Sequence, residues 1–202
     1  MLALIDYGMG NLGSVKKAFE FIGAEVKRTD KPADLRKARG LILPGVGAFP
    51  AAMKNLAQRR LIDVIRREVA EGKPFLGICL GYQLLFDSST EMGDTRGLGL
   101  IRGRVRKFET DLKVPHMGWN SVTVKKKDIV ARDVMDGDYF YFVHSYYPEL
   151  EDTTDALFET EYGVPFTSAI ARGNIYGFQF HPEKSQEKGL SLIRNFMDKV
   201  CR

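Results

Sequence analysis

The segment Phe75-Leu76-Gly77-Ile78-Cys79-Leu80-Gly81-Tyr82-Gln83 narrows the folds open to this chain more than any other. Residues 74–78 read as a short apolar strand, which passes through G-x-C-x-G directly into helical spacing over 80–86. A strand that is apolar throughout and turns straight into a helix belongs in a parallel sheet covered on both faces. Such a turn lifts one side chain above the sheet edge, as it does for serine in nucleophile elbows. Glycines flank Cys79 because the turn is tight and a Cβ on either side would crowd it. The thiol then stands at a helix N-terminus, where unpaired amides and the helix dipole favour thiolate. The plain alternative is a buried cysteine on a core strand, a common place for a free thiol.

The rest of the first half repeats the alternation. Residues 2–5 read as a strand, 14–22 as a helix capped near Asn11 or Ser14, and 25–28 and 40–43 as strands. Helical spacing runs over 51–70, with a break near Arg59-Arg60. Ligands of such sheets bind at the carboxyl ends of the strands, where Cys79 falls. The second half is richer in strands, at 103–108, 120–124, 139–144, 156–160, 168–172 and 175–180, and closes on an amphipathic helix at 189–200. We therefore expect an α/β fold: a central, mostly parallel sheet with helices on both faces and an antiparallel extension. With 202 residues, one domain spanning 1–202 has enough chain for a sizeable core.

Charge and cysteine content exclude several function classes. The net charge is +4, and Lys and Arg are spread along the chain apart from Lys125-Lys126-Lys127. That run suits a solvated turn between a strand and a helix better than a nucleic-acid surface, so no nucleic-acid partner is expected. Two cysteines, Cys79 and Cys201, make neither a disulfide framework nor a metal cluster. Cys201 is expected on a fraying helix end. A reduced, cytoplasmic setting fits. The chain opens on a strand with no basic segment and long apolar run behind it, so neither a signal peptide nor a membrane partner is expected.

A cysteine nucleophile needs a base, and the chain has three histidines: His116, His144 and His181. An apolar strand delivers His181 to its own end, and Pro182 stops that strand. Glu183, two residues on, can turn back to the imidazole, orient it and stabilise imidazolium, giving a Cys, His, Glu chain order. A capped loop histidine beside a surface acid is the bland reading of His181 and Glu183. It loses ground once Cys79 is considered with them, because the geometry serves a purpose only jointly. H-x-E also occurs in zinc deaminases, but no C-x-x-C follows it here, so no metal or other cofactor is expected. An oxyanion could be met by backbone amides of the glycine-rich turn Pro44-Gly45-Val46-Gly47, at Val46, and by the amide of Leu80 after the nucleophile. A plain strand-to-helix turn would need the same glycines. Gly8-Met9-Gly10-Asn11-Leu12-Gly13 matches the dinucleotide fingerprint G-x-G-x-x-G, with Asp30 at a plausible distance. Asp6-Tyr7 lengthens the turn before it, however, and Asp30 lies in a polar loop. A glycine-rich turn packed near the active edge is the better reading.

Together these residues resemble the class I (triad) glutamine amidotransferases, along nearly the whole chain. Residues 75–83 are similar to their nucleophile segment, 44–47 to their oxyanion turn and 179–183 to their His-x-Glu end. The more specific segment is Pro115-His116-Met117-Gly118-Trp119-Asn120. It is similar to members that supply ammonia to a cyclase of histidine biosynthesis. Glu91 follows Ser89-Thr90 where many members carry Ser-Glu-Glu. The resemblance implies a flavodoxin-like fold and the hydrolysis of L-glutamine through a thioester on Cys79, with His181 as acid and base, Glu183 orienting it, and Val46 and Leu80 donating to the oxyanion. It implies glutamine contacts from Gly45, Gln83 and Glu91 and from the backbone of Ser145 and Tyr146. Gln83 lies one turn beyond Cys79 and can face the same pocket.

The partner so implied is a separate (β/α)8-barrel cyclase subunit, met by Met117, Trp119, Asn120, Tyr141 and Lys184. A core position is the alternative for Trp119. Glycines on both sides of Val46 would let its peptide rotate at low cost, so activity is expected to rise strongly when the partner is loaded. Alternatives are a glutaminase serving another ammonia-consuming synthase, a cysteine hydrolase of similar fold, and a nucleotide-binding module using the Gly8 turn.

Overall fold

The structure is a computed structural model that describes residues 1–201, with side chains through Lys199. The exposure of Cys201 lies outside the described side chains. The first half builds β1 (Leu2–Ile5), α1 (Leu12–Phe21), β2 (Val26–Thr29), α2 (Pro32–Lys37), β3 (Leu41–Gly45), α3 (Phe49–Gln58), α4 (Ile62–Ala70), β4 (Phe75–Cys79) and α5 (Leu80–Gln83). The second half adds β5 (Phe86–Ser89), β6 (Thr95–Arg96), β7 (Ile101–Lys107), β8 (His116–Ser121), β9 (Thr123–Val124), β10 (Tyr139–His144), β11 (Tyr146–Leu150), β12 (Ala156–Glu161), β13 (Pro165–Arg172), β14 (Ile175–Phe178) and α6 (Gln186–Cys201).

Local chemistry explains most boundaries. The Asn11 side chain caps α1 by accepting from the Ser14 amide at 3.3 Å. Pro32 opens α2, a short helix with one buried apolar residue and so no periodic pattern in the sequence, because its fixed φ suits the first helical position. The helical stretch 51–70 divides into α3 and α4 where Arg60 takes φ 55°, at the expected break. The helix expected over 80–86 stops after one turn. The carbonyls of Leu84 and Leu85 accept from the amides of Leu98 and Leu100, so a distant segment takes the bonds a continuing helix would need.

Eight strands form one sheet in the order β2-β1-β3-β4-β14-β13-β12-β9. Pairings from β2 to β14 are parallel and those beyond β14 are antiparallel. The parallel part has the 2-1-3-4-5 order of flavodoxin-like sheets, with β14 as its fifth strand. The antiparallel extension is present, but it does not take up all the later strands. β10 and β8 form a separate ribbon, and β11-β7-β5-β6 a third sheet.

Residues alternate between two cores along the central strands. Leu2, Leu4, Ile42, Leu76 and Ile78 face Phe19 of α1 and Leu192, Ile193 and Phe196 of α6. Ala3, Ile5, Leu41, Leu43 and Phe75 face Leu35 of α2, Phe49, Met53 and Leu56 of α3 and Ile65 of α4. Each such large apolar side chain contributes about 1.5–3 kcal/mol by leaving water. Burial on both faces is why these strands read as continuous apolar runs, and it holds the carboxyl ends of β3, β4 and β14 side by side.

Candidate active site

Cys79 ends β4 with φ 56° and ψ −111°, a backbone that L residues rarely adopt. Both neighbouring glycines are required. A Cβ on Gly77 would meet the Gly81 carbonyl oxygen at 2.6 Å, and one on Gly81 would overlap the Leu43 carbonyl oxygen of β3. The elbow is thus wedged against the adjacent strand. Cys79 is buried, and its Sγ lies 3.9 Å from the Val143 carbonyl oxygen. The helix behind it is a single turn, so its dipole is weaker than a longer helix would give.

β14 pairs parallel with β4, and the chain leaving β14 sets His181 beside the elbow. Glu183 turns back as expected: its Oε1 lies 2.9 Å from His181 Nδ1, and both side chains are almost wholly buried. His181 Nε2 makes no hydrogen bond, although Cys79 is close enough to couple electrostatically to the ring. Burial pulls the imidazole pKa down, but Cys79 and Glu183 outweigh it and raise the value to about 10. The imidazolium is the positive charge facing the thiol.

A cavity of about 290 Å³ opens over this centre, lined by Val46, Gly47, Cys79, Leu80, Gln83, Glu91, Val143, His144, Ser145 and Tyr146. A larger hollow of about 950 Å³ lies along 124–136, but no cysteine, serine, threonine or histidine lines it. The Pro44–Gly47 turn lies opposite Cys79, because Gly45 of β3 is in register with Cys79 of β4. Gly45 has no room for a side chain, since a Cβ would overlap the Tyr7 hydroxyl. Tyr7 was not singled out from sequence. It is fully buried and its hydroxyl has no partner. Burial first, and Cys79 second, push its pKa well up, so it stays a neutral phenol. The only sequence signal was an apolar ring immediately before the Gly8 turn.

That glycine-rich turn packs on the site. Gly10, at φ 116°, sets its Cβ position 3.4 Å from Gly45 Cα, and a Cβ on Gly47 would come 2.8 Å from Met9 Cε. The Asp6 side chain accepts from the Gly8 amide at 3.1 Å and from Arg28 at 2.7 Å.

Two of the anticipated ligand-binding residues are already engaged within the fold. Gln83 donates to the Tyr146 carbonyl at 2.7 Å and to Gln179 Oε1 at 3.1 Å. Glu91 Oε2 accepts from the Phe49 amide at 2.8 Å, which ties the loop after β5 to the start of α3. The β8–β10 ribbon turns Met117 (63% exposed), Trp119 (46%) and Tyr139 (58%) to solvent. Tyr141 pairs with Trp119 across the ribbon, and Lys184 Nζ lies 5.8 Å from the Tyr141 ring centroid. Asn120 does not share this face. Strand alternation turns it inward, where it bonds to His116 and to the Glu161 carbonyl. The Lys125–Lys127 run is partly engaged too, with Lys126 donating to the carbonyls of Thr154 and Ala171. Among the described residues no helix is long and apolar enough to cross a membrane, and no cluster of three or more His, Cys, Asp or Glu could hold a metal ion.

A cysteine elbow, a buried His–Glu pair and a glycine turn over a flavodoxin-like sheet define a class of acyl-transfer enzyme. The chain belongs to the class-I glutamine amidotransferase family, whose family model (Glutamine amidotransferase class-I) matches residues 3–200. Within that family it is 51% identical over 198 residues to the imidazole glycerol phosphate synthase subunit HisH of Aquifex aeolicus (strain VF5), covering 98% of this chain and 96% of the relative. It is 49% identical over 201 residues to the HisH subunit of Moorella thermoacetica (strain ATCC 39073 / JCM 9320), covering 98% and 95%. Among solved structures, a glutamine amidotransferase matches with a TM-score of 0.78 at 20% identity over 99% of each chain. PurLQS from Thermotoga maritima matches with a TM-score of 0.77 at 18% identity over 98% of each chain. Likeness at such low identity concerns the fold alone.

Proposed function

We propose that this chain is the glutamine-hydrolysing subunit of an imidazole glycerol phosphate synthase in histidine biosynthesis. The observation that carries the reading is Cys79 on its strained elbow, beside the buried His181–Glu183 pair and on the wall of the cavity that Val46 and Leu80 also line. Sγ of Cys79 attacks the carboxamide carbon of L-glutamine. The oxyanion so formed takes hydrogen bonds from the Val46 and Leu80 amides, each such donor being worth about 3 kcal/mol of barrier. His181 protonates the departing nitrogen, the C–N bond breaks, and ammonia leaves a γ-glutamyl thioester. His181 then takes a proton from water, which attacks the thioester, and glutamate and the Cys79 thiolate are released. Glu183 holds the ring and stabilises its charge throughout. Gly45, Gln83, Glu91 and the backbone of Ser145 and Tyr146 surround the amino-acid end of the substrate.

Free ammonia would protonate in water, so a partner must receive it. The HisH relatives are named as subunits, which implies one. A (β/α)8-barrel cyclase on the Met117, Trp119, Tyr139 and Tyr141 face suits their exposed aromatic surface. Val143 lies on that same face of the ribbon and also lines the cavity, so a route for ammonia need be only short. The cyclase would join the ammonia to a phosphoribulosyl aminoimidazole-carboxamide nucleotide. Val46 is followed by Gly47 at φ 102°, and its peptide is free to turn toward the substrate when the partner is loaded.

Mass spectrometry after treatment with a diazoketone glutamine analogue, with and without the cyclase, tests nucleophile and substrate together. The expected result is an adduct on Cys79 that forms faster with the loaded cyclase. Labelling by peptide electrophiles alone would overturn the reading in favour of a peptidase.

A further inference from the structure

Two buried histidines that the reaction scheme does not use form a hydrogen-bonded chain from the ribbon to the substrate cavity. His116 Nδ1 lies 3.0 Å from His144 Nε2, and His144 Nδ1 lies 2.8 Å from the Tyr146 carbonyl oxygen. At the other end, Asn120 Nδ2 lies 3.3 Å from His116 Nε2.

The partners fix the direction of every proton. The Asn120 amide is oriented, because its Oδ1 accepts from the Ser121 amide at 2.8 Å and its Nδ2 donates to the Glu161 carbonyl at 2.8 Å. His116 Nε2 therefore accepts, and its proton is on Nδ1. That proton is donated to His144 Nε2, which leaves the His144 proton on Nδ1, aimed at Tyr146. A carbonyl can only accept, so the two ends demand the same order. Both rings must stay neutral, since a second proton on either would oppose N–H to N–H. Burial lowers their pKa values to about 4 and about 3, which keeps them so at neutral pH.

The chain ends on the cavity wall. The Tyr146 carbonyl also accepts from Gln83, and the Ser145 carbonyl accepts from the Phe108 amide at 3.1 Å. Both carbonyls of the Ser145–Tyr146 segment are thus held. The far end lies on β8, the strand that exposes Met117 and Trp119 on its other face.

We propose that Asn120, His116 and His144 are positioning residues for glutamine binding: they fix the Ser145–Tyr146 backbone in the cavity and tie it to the strand of the partner face. This rests on the glutaminase reading above.

The test compares His144→Phe and His144→Asn with the wild type in the cyclase-loaded complex. His144→Phe removes the donor to Tyr146 and should raise KM for glutamine about tenfold or more, the loss of a hydrogen bond, with kcat little changed. His144→Asn keeps a donor near the Nδ1 position and should restore most of the affinity. Long-range 1H–15N NMR of the wild type at neutral pH should find both rings as Nδ1–H tautomers, which needs no variant to fold. An Nε2–H tautomer on either ring, or an unchanged KM in His144→Phe, overturns the positioning role. A wild type that does not hydrolyse glutamine overturns the glutaminase reading, and this inference with it.

Discussion

Cys79 occupies backbone space that costs an ordinary residue about 1–3 kcal/mol, and the fold holds it there from both sides. The tightness of the turn itself accounts for the flanking glycines in part. Leu43 on the neighbouring strand gives Gly81 a further reason, because a side chain there would push α5 off β3. Gly45 has the same standing against Tyr7. Gly45→Ala should destabilise the fold by about 1–3 kcal/mol through overpacking and lower kcat by shifting the Pro44–Gly47 turn. Urea unfolding and steady-state glutaminase kinetics on one preparation measure both, and a variant with normal stability and normal kcat would count against the Tyr7 contact. Glu183→Gln removes the carboxylate that supports imidazolium while keeping a side chain of the same shape. The expected loss in kcat is about a hundredfold or more, with KM little altered, because the charge matters most as the proton moves.

At the scale of elements, the start of α3 is held from outside. Ala48 offers no capping side chain, and Glu91 supplies the missing acceptor to Phe49 from the loop after β5. One carboxylate therefore faces both the cavity and the helix that follows the Pro44–Gly47 turn. Glu91→Ala should cost about 1 kcal/mol of stability, as a lost cap does, and should raise KM for glutamine as well. A change in stability without any change in KM would leave Glu91 a purely structural tether. The ribbon has a different division of labour. Its inward residues His116, Asn120, Phe140, Phe142 and His144 pack into the fold, whereas outward Trp119 and Tyr139 are exposed and the Tyr141 ring meets Trp119 and the Lys184 ammonium. Trp119→Ala should leave the melting temperature of the free subunit close to wild type and weaken cyclase binding about tenfold or more, the behaviour of an interface anchor. Titration calorimetry with the cyclase reads this directly.

For the whole molecule, three buried histidines shape how stability responds to pH around neutrality. The His116 and His144 values are lowered from 6.5 to about 4 and about 3, so the unfolded chain binds protons that the folded chain refuses. Stability is then lost as pH falls below 6.5, by up to about 1.4 kcal/mol per pH unit for each ring. His181 is shifted the other way, to about 10, so its contribution is fully present below 6.5 and is lost as pH rises through the folded value. Denaturant midpoints should peak near neutrality and fall on both sides. Glu183→Gln should make the alkaline side shallower without removing it, because Cys79 also raises the His181 value; an alkaline side that is unchanged would mean that Glu183 does not contribute to it.

The sequence by itself determined the parallel α/β half, the elbow at Cys79 and the His181–Glu183 pair, because each is written in a local pattern: apolar runs, flanking glycines, a two-residue spacing. It also identified the ribbon strand at 139–144, whose alternation is regular. Only the tertiary structure decided that β14 returns to the centre of the sheet beside β4, which sets His181 next to a thiol about a hundred residues earlier. The same is true of the short α5, the Glu91 tether, the Tyr7 contact and the His116–His144 chain. Each depends on groups distant in sequence competing for one backbone amide, one carbonyl or one pocket of space, and a pattern of neighbours along the chain carries no record of that competition.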